Sequence, residues 1–79
     1  MLIEIKDEYT FKKSSPDDNW FTLEMKEFGM VMSPKEKFLE AMDVTYSVAM
    51  LVGKVDFNSW EEKMERYSKI RSRIEDLLK

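Results

Sequence analysis

The sequence predicts an α+β fold: an antiparallel β-hairpin followed by two antiparallel helices, in the order ββαα. Three observations carry this expectation. Apolar residues alternate with period two through the first third of the chain. A strongly apolar run, Phe38 to Val52, fills its middle, and an amphipathic pattern of period 3.6 closes it. All 79 residues are expected to form a single domain, near the size at which one core is only just sufficient.

The hairpin is expected over residues 2–32. Ile3, Ile5, Tyr9 and Phe11 alternate with polar residues. Phe21, Leu23, Met25 and Val31 do so again after the turn-forming stretch Ser14 to Asn19. Parity pairs Phe11 with Leu23, Tyr9 with Met25, Ile3 with Val31 and Ile5 with Gly29. The same register sets Glu8 against Lys26, which is favourable, and Asp7 against Glu27, which is not. A bulge or break near Asp7 or Gly29 would relieve that clash. Trp20, Phe28, Met30 and Met32 fall on the opposite face, either under a second layer or as an exposed patch for a partner. Asp17, Asp18 and Asn19 cluster oxygen atoms. They lack the number and alternation of ligands that a Ca²⁺ loop needs, so the stretch reads as a solvated turn.

The central helix is expected over residues 34–52. Ser33 caps it, Pro34 suits its first position, Glu36 completes a capping box, and Gly53 stops it. The alternative is ββαβα, with residues 44–52 as a third strand, because Val44 to Val52 also alternates and is rich in β-branched residues. As a helix the run is apolar over most of its circumference, with only Glu36, Glu40, Asp43 and Ser47 as a polar stripe. Phe38, Met42, Tyr46 and Ala49 make one apolar side; Val44, Val48 and Leu51 make another. A helix of this kind must be covered from several directions. The hairpin and the closing helix cover only part of it, and a second copy of the chain is the natural cover for the rest.

The closing helix is expected over residues 59–78. Trp60, Met64, Tyr67, Ile70, Ile74, Leu77 and Leu78 recur at spacings of three and four. A short connection makes it antiparallel to the central helix. Arg71 falls inside this apolar stripe and is expected to pair with Asp43 or Glu40. Glu62 with Arg66 and Glu65 with Lys69 form i,i+4 pairs.

Composition narrows the function. The chain has no cysteine and no histidine, which excludes a disulfide framework, Cys/His metal sites and any triad requiring imidazole. Two glycines leave no phosphate-binding loop, and the adjacent acids point apart on helix or strand. The sequence therefore reads as non-enzymatic, with no cofactor and no metal. No apolar run approaches a membrane span, no signal peptide is evident at the N-terminus, and a cytoplasmic location is expected. A formal charge of −3 argues against a strongly basic nucleic-acid module.

What remains is a small interaction protein, an adaptor or inhibitor acting on a partner protein and expected to be a homodimer. Its interface candidates are Val44, Val48, Leu51, Trp20, Phe28 and Met30. Its short, Met-rich, Lys/Glu-rich composition is compatible with that of small phage accessory proteins, which would place it in a host cytoplasm. The alternative is an RNA- or DNA-binding regulator contacting phosphate through Lys12, Lys13, Arg66, Lys69 and Arg73.

Overall fold

The computed structural model describes residues 3–14, 19–53 and 59–79. Four strands form one antiparallel meander: β1 (Ile3–Ile5), β2 (Tyr9–Lys13), β3 (Trp20–Met25) and β4 (Gly29–Pro34). Two helices follow, α1 (Phe38–Leu51) and α2 (Trp60–Leu78), with a single 3₁₀ turn at Lys35–Lys37 leading into α1. The class is α+β as expected, but the one long hairpin is in fact four strands.

The reason lies in two tight turns. Lys6 N–H donates to the Tyr9 carbonyl at 2.8 Å, closing a turn around Asp7 and Glu8. Lys26, Glu27 and Phe28 form a second turn that ends on Gly29, whose φ of 108° is open to glycine and costly for other residues. Both places where a break was expected are therefore reversals of the chain. Asp7 and Glu27 sit in different turns instead of opposing each other.

Parity holds only within an uninterrupted strand pair. Tyr9 opposes Met25 and Phe11 opposes Leu23, as the alternation predicts. Past the first turn the prediction fails. Ile3 pairs with Lys12 and Ile5 with Thr10, while Val31 pairs with Leu23. Glu4 therefore shares the inner face with Phe11, and Ile3 and Ile5 point outward and are exposed.

The core lies between the inner sheet face and the two helices. Phe11, Phe21, Leu23 and Val31 meet Phe38, Met42 and Ala49 of α1 and Ile70, Ile74 and Leu78 of α2. Phe11 and Phe21 stack with ring centroids 5.4 Å apart, and the Phe38 ring meets both edge-on. A second aromatic group joins the turn to both helices. Tyr46 stacks on Tyr67 at 4.1 Å, and Phe28 packs edge-on against each of them. Phe28 is 2% exposed, so it belongs to the core and not to a surface patch. The three-residue turn reset its side.

α1 is one helix to Leu51, which excludes a strand over residues 44–52. Its start differs from expectation. Ser33 lies in β4 and is buried, its hydroxyl donating to the Pro34 carbonyl. No capping box forms, and the Glu36 carboxylate instead accepts from the Asn19 side-chain amide at 2.6 Å. The strand needs Ser33 in its ladder opposite Phe21, and that need overrides the cap. At the other end Gly53 takes a φ of 76°, as a helix stop requires. Asp17 and Asp18, in the expected solvated turn, lie outside the described residues.

Candidate interaction surface

Helix α1 packs its Phe38, Met42 and Ala49 side inward and leaves Val44, Val48 and Leu51 exposed. These three residues stand at spacings of four and three, so they form one stripe along the helix. On one flank of the stripe lies a groove shared with β4, lined by Gly29, Met30, Val44, Thr45 and Val48. On the other flank Val44 and Val48 border a shallow polar groove with Glu40, Asp43, Ser47 and Arg71. An apolar strip rimmed on one side by charge is the usual anatomy of a contact surface.

Around β4 this strip meets the outer sheet face. In the ladder Met32 opposes Thr22 and Met30 opposes Glu24. The same two rows continue through Lys12 and Thr10 to end on Ile3 and Ile5. Ile3, Ile5, Trp20, Met30 and Met32 are all large, apolar and exposed. Among the described residues no helix or strand covers this face. Of the six interface candidates, the structure exposes Val44, Val48, Leu51, Trp20 and Met30 and buries Phe28. It adds Met32, already on that face by alternation. Ile3 and Ile5 also join it, and alternation had assigned them to the core.

Two ionic clusters fix the helices that carry this surface. Asp43 receives the Arg71 guanidinium at 2.9 Å and 3.2 Å and the Tyr67 hydroxyl at 2.7 Å. Of the two partners expected for Arg71, Asp43 and Glu40, it is Asp43 that pairs with it. Those hydrogen bonds, first from Arg71 and then from Tyr67, hold the Asp43 carboxyl below its ordinary range. Tyr67 is pushed well above the ordinary phenol value, by burial first and by its hydrogen bond to Asp43 second. Two residues further along α2, on the other side of the helix, Arg73 donates to Glu4 together with Tyr9, and the two lower its pKa to about 2. Burial and the adjacent carboxylate raise Tyr9 to about 12.

The basic residues considered for nucleic acid do not converge. Arg73 is engaged by Glu4, and Arg66 by Glu27 and Glu62. Lys63 donates to the same Glu27 oxygen. Lys69 is highly exposed and lies 3.6 Å from Glu65. Lys12 is on the outer sheet face by register, away from the helices, and Lys13 alternates to the inner face. Among the described residues no group of three or more acidic side chains is placed to hold a metal ion, and no helix is long and apolar enough to cross a membrane.

Compared with protein-family models, curated proteins and solved structures, the chain matches none of them.

Proposed function

We infer that the protein is a small, non-enzymatic interaction module, a homodimeric adaptor or inhibitor that binds and modulates a partner protein. The observation that carries this reading is the exposed strip Val44, Val48 and Leu51, continuous with Met30 across the groove between α1 and β4. Scattered exposed apolar residues need no explanation, whereas a contiguous strip of this kind on a short chain is unfavourable in water unless covered. The outer sheet face, with Trp20, Ile3 and Ile5, remains available for the partner once the strip is covered.

Sedimentation equilibrium across micromolar concentrations tests the dimer. The wild type is expected to sediment at twice the chain mass. Val48→Glu is expected to sediment as a monomer with an unchanged circular dichroism spectrum, because Val48 is half exposed and makes little of the core. A wild type that stays monomeric throughout the range, or a Val48→Glu variant that dimerises as well as the wild type, removes the reading.

A further inference from the structure

β4 is one edge of the sheet, and its hydrogen-bonding phase can be read from the ends of the ladder. Lys35 N–H donates to the Asn19 carbonyl at 2.9 Å, so that pair is a hydrogen-bonded position. Stepping back by two along the register, Ser33, Val31 and Gly29 direct their backbone groups to β3. Met30 and Met32 therefore direct theirs outward. Pro34 shares the outward phase, so its missing N–H costs the ladder nothing.

The two edges of the sheet are unequal. β1 has three residues, ends beside Lys6, Asp7 and Glu8, and carries the charged Glu4. Short length and charge are ordinary defences of an edge. β4 has none of them: Gly29-Met-Val-Met-Ser33 holds no charged residue. Among the described residues no strand pairs with its outer side.

We propose that β4 pairs antiparallel with β4 of a second copy across a two-fold axis at Val31, joining two four-stranded sheets into one of eight strands. This rests on the homodimer reading above and specifies the surface that makes it. Centring on Val31 sets Met30 opposite the partner's Met32 at both ends. The four N–H and C=O groups of Met30 and Met32 in each chain then all pair, in four hydrogen bonds, while the Pro34 carbonyl accepts from the Ser33 hydroxyl. Centring on Met30 would bring the partner's Phe28, a turn residue, opposite Met32, and centring on Met32 would bring in Pro34, which has no donor. Only the Val31 centre uses every group.

The area is adequate. A stable interface takes roughly 800 Å² from each partner, roughly 15 per cent of the 5290 Å² of this chain. Strand pairing alone falls short of that. Met30 and Met32 are 55% and 57% exposed, and Val44, Val48 and Leu51 are 58%, 50% and 85% exposed. They flank the same edge on its two sides and supply the apolar remainder. A second copy is the fitting occupant because an antiparallel edge is complementary to itself.

Met32→Pro deletes one outward donor per chain and leaves the bonds to β3 intact, whereas Met32→Thr keeps the donor. In sedimentation equilibrium the wild type and Met32→Thr are expected as dimers and Met32→Pro as a folded monomer. The chain has no cysteine of its own, so single cysteines report the register. A mixture of Met30→Cys and Met32→Cys chains is expected to form a disulfide-linked heterodimer, because a hydrogen-bonded pair places Cα atoms about 5.5 Å apart. Neither variant alone is expected to cross-link, since strand rise and spacing put like residues roughly 8 Å apart. A wild type that dimerises while the mixture fails to cross-link overturns the β4 pairing and leaves the homodimer reading standing. A cross-link within either single variant overturns the Val31 centre. A monomeric wild type overturns both. If Met32→Pro fails to fold, the cross-linking mixture decides.

Discussion

Arg73, in the last helix, holds Glu4, in the first strand, through both carboxylate oxygens. Its Nε lies 3.1 Å from Oε1 and 3.0 Å from Oε2, and its Nη2 lies 2.8 Å from Oε1. The contact ties the two ends of the chain together across sixty-nine positions. It exists because the turn at Asp7 and Glu8 puts Glu4 on the inner face of a three-residue strand that carries little other burial. β1 is thus held as much by charge and hydrogen bonding as by packing.

That arrangement makes stability depend on acid. The Glu4 pKa is about 2 in the folded protein against 4.5 ordinarily. A depressed carboxyl contributes its stability above the ordinary value and loses it as pH falls toward the folded one. The urea midpoint of the wild type is expected to exceed that of Glu4→Gln at pH 6. The gap should narrow from about pH 4.5 downward and nearly close at pH 2. A gap that stays constant across this range would show that the carboxylate charge is not what holds β1.

Asp43 serves two donors, and its loss should reveal that. Arg71→Ala removes the partly exposed ion pair to Asp43 and a longer one to Glu75 within α2, together worth about 0.5–1 kcal/mol. Asp43→Ala removes the first of these pairs and also strands the buried Tyr67 hydroxyl, raising the cost to about 2 kcal/mol. Chemical denaturation of both variants measures the difference. Equal losses would mean that the tyrosine bond adds nothing.

The stacked tyrosines offer an internal contrast. Among the described residues the Tyr46 hydroxyl is buried without a hydrogen-bond partner, while the Tyr67 hydroxyl donates to Asp43. An unpaired buried hydroxyl is unfavourable, so Tyr46→Phe is expected to raise stability by about 1 kcal/mol, and Tyr67→Phe to lower it by about 1 kcal/mol. If both substitutions destabilise, Tyr46 has a partner in solution.

All three tyrosines of the chain have raised pKa values in the folded state. A raised acid contributes stability up to its unfolded value, here about 10, and loses it as pH climbs through the folded one. The ultraviolet phenolate signal at pH 10 is therefore expected to be smaller than that of the unfolded chain and to rise together with loss of circular dichroism above it. A third of the signal titrating at pH 10 in folded protein would contradict the environment of one tyrosine.

At Gly29 the backbone alone sets the cost of substitution. A Cβ there would sit 3.6 Å from the Thr45 Cγ2, an ordinary contact, but φ is 108°. Gly29→Ala is expected to lose at least about 1 kcal/mol. Thr45→Ala in the same background should not restore it. Rescue by that second substitution would point to a steric clash.

The sequence by itself determined the class of this protein, the pairing of β2 with β3, the closing helix, the glycine stop at Gly53 and the pairing of Arg71 with the acidic stripe of the central helix, within which the structure selected Asp43 over Glu40. Each of these rests on local periodicity or on residues whose spacing a single uninterrupted element conveys. Of the candidate surface, Val44, Val48 and Leu51 were legible for the same reason: a helix keeps its phase from end to end. Only the tertiary structure decided the rest. Two turns reset the alternation, sending Ile3 and Ile5 outward, Glu4 inward to Arg73, and Phe28 into the aromatic core. A strand's side-chain phase survives only as far as its own ladder, and how many residues a tight turn consumes depends on the contacts that close it. The bare edge of β4 emerged from the same turns, because one long hairpin would have paired those residues with β1.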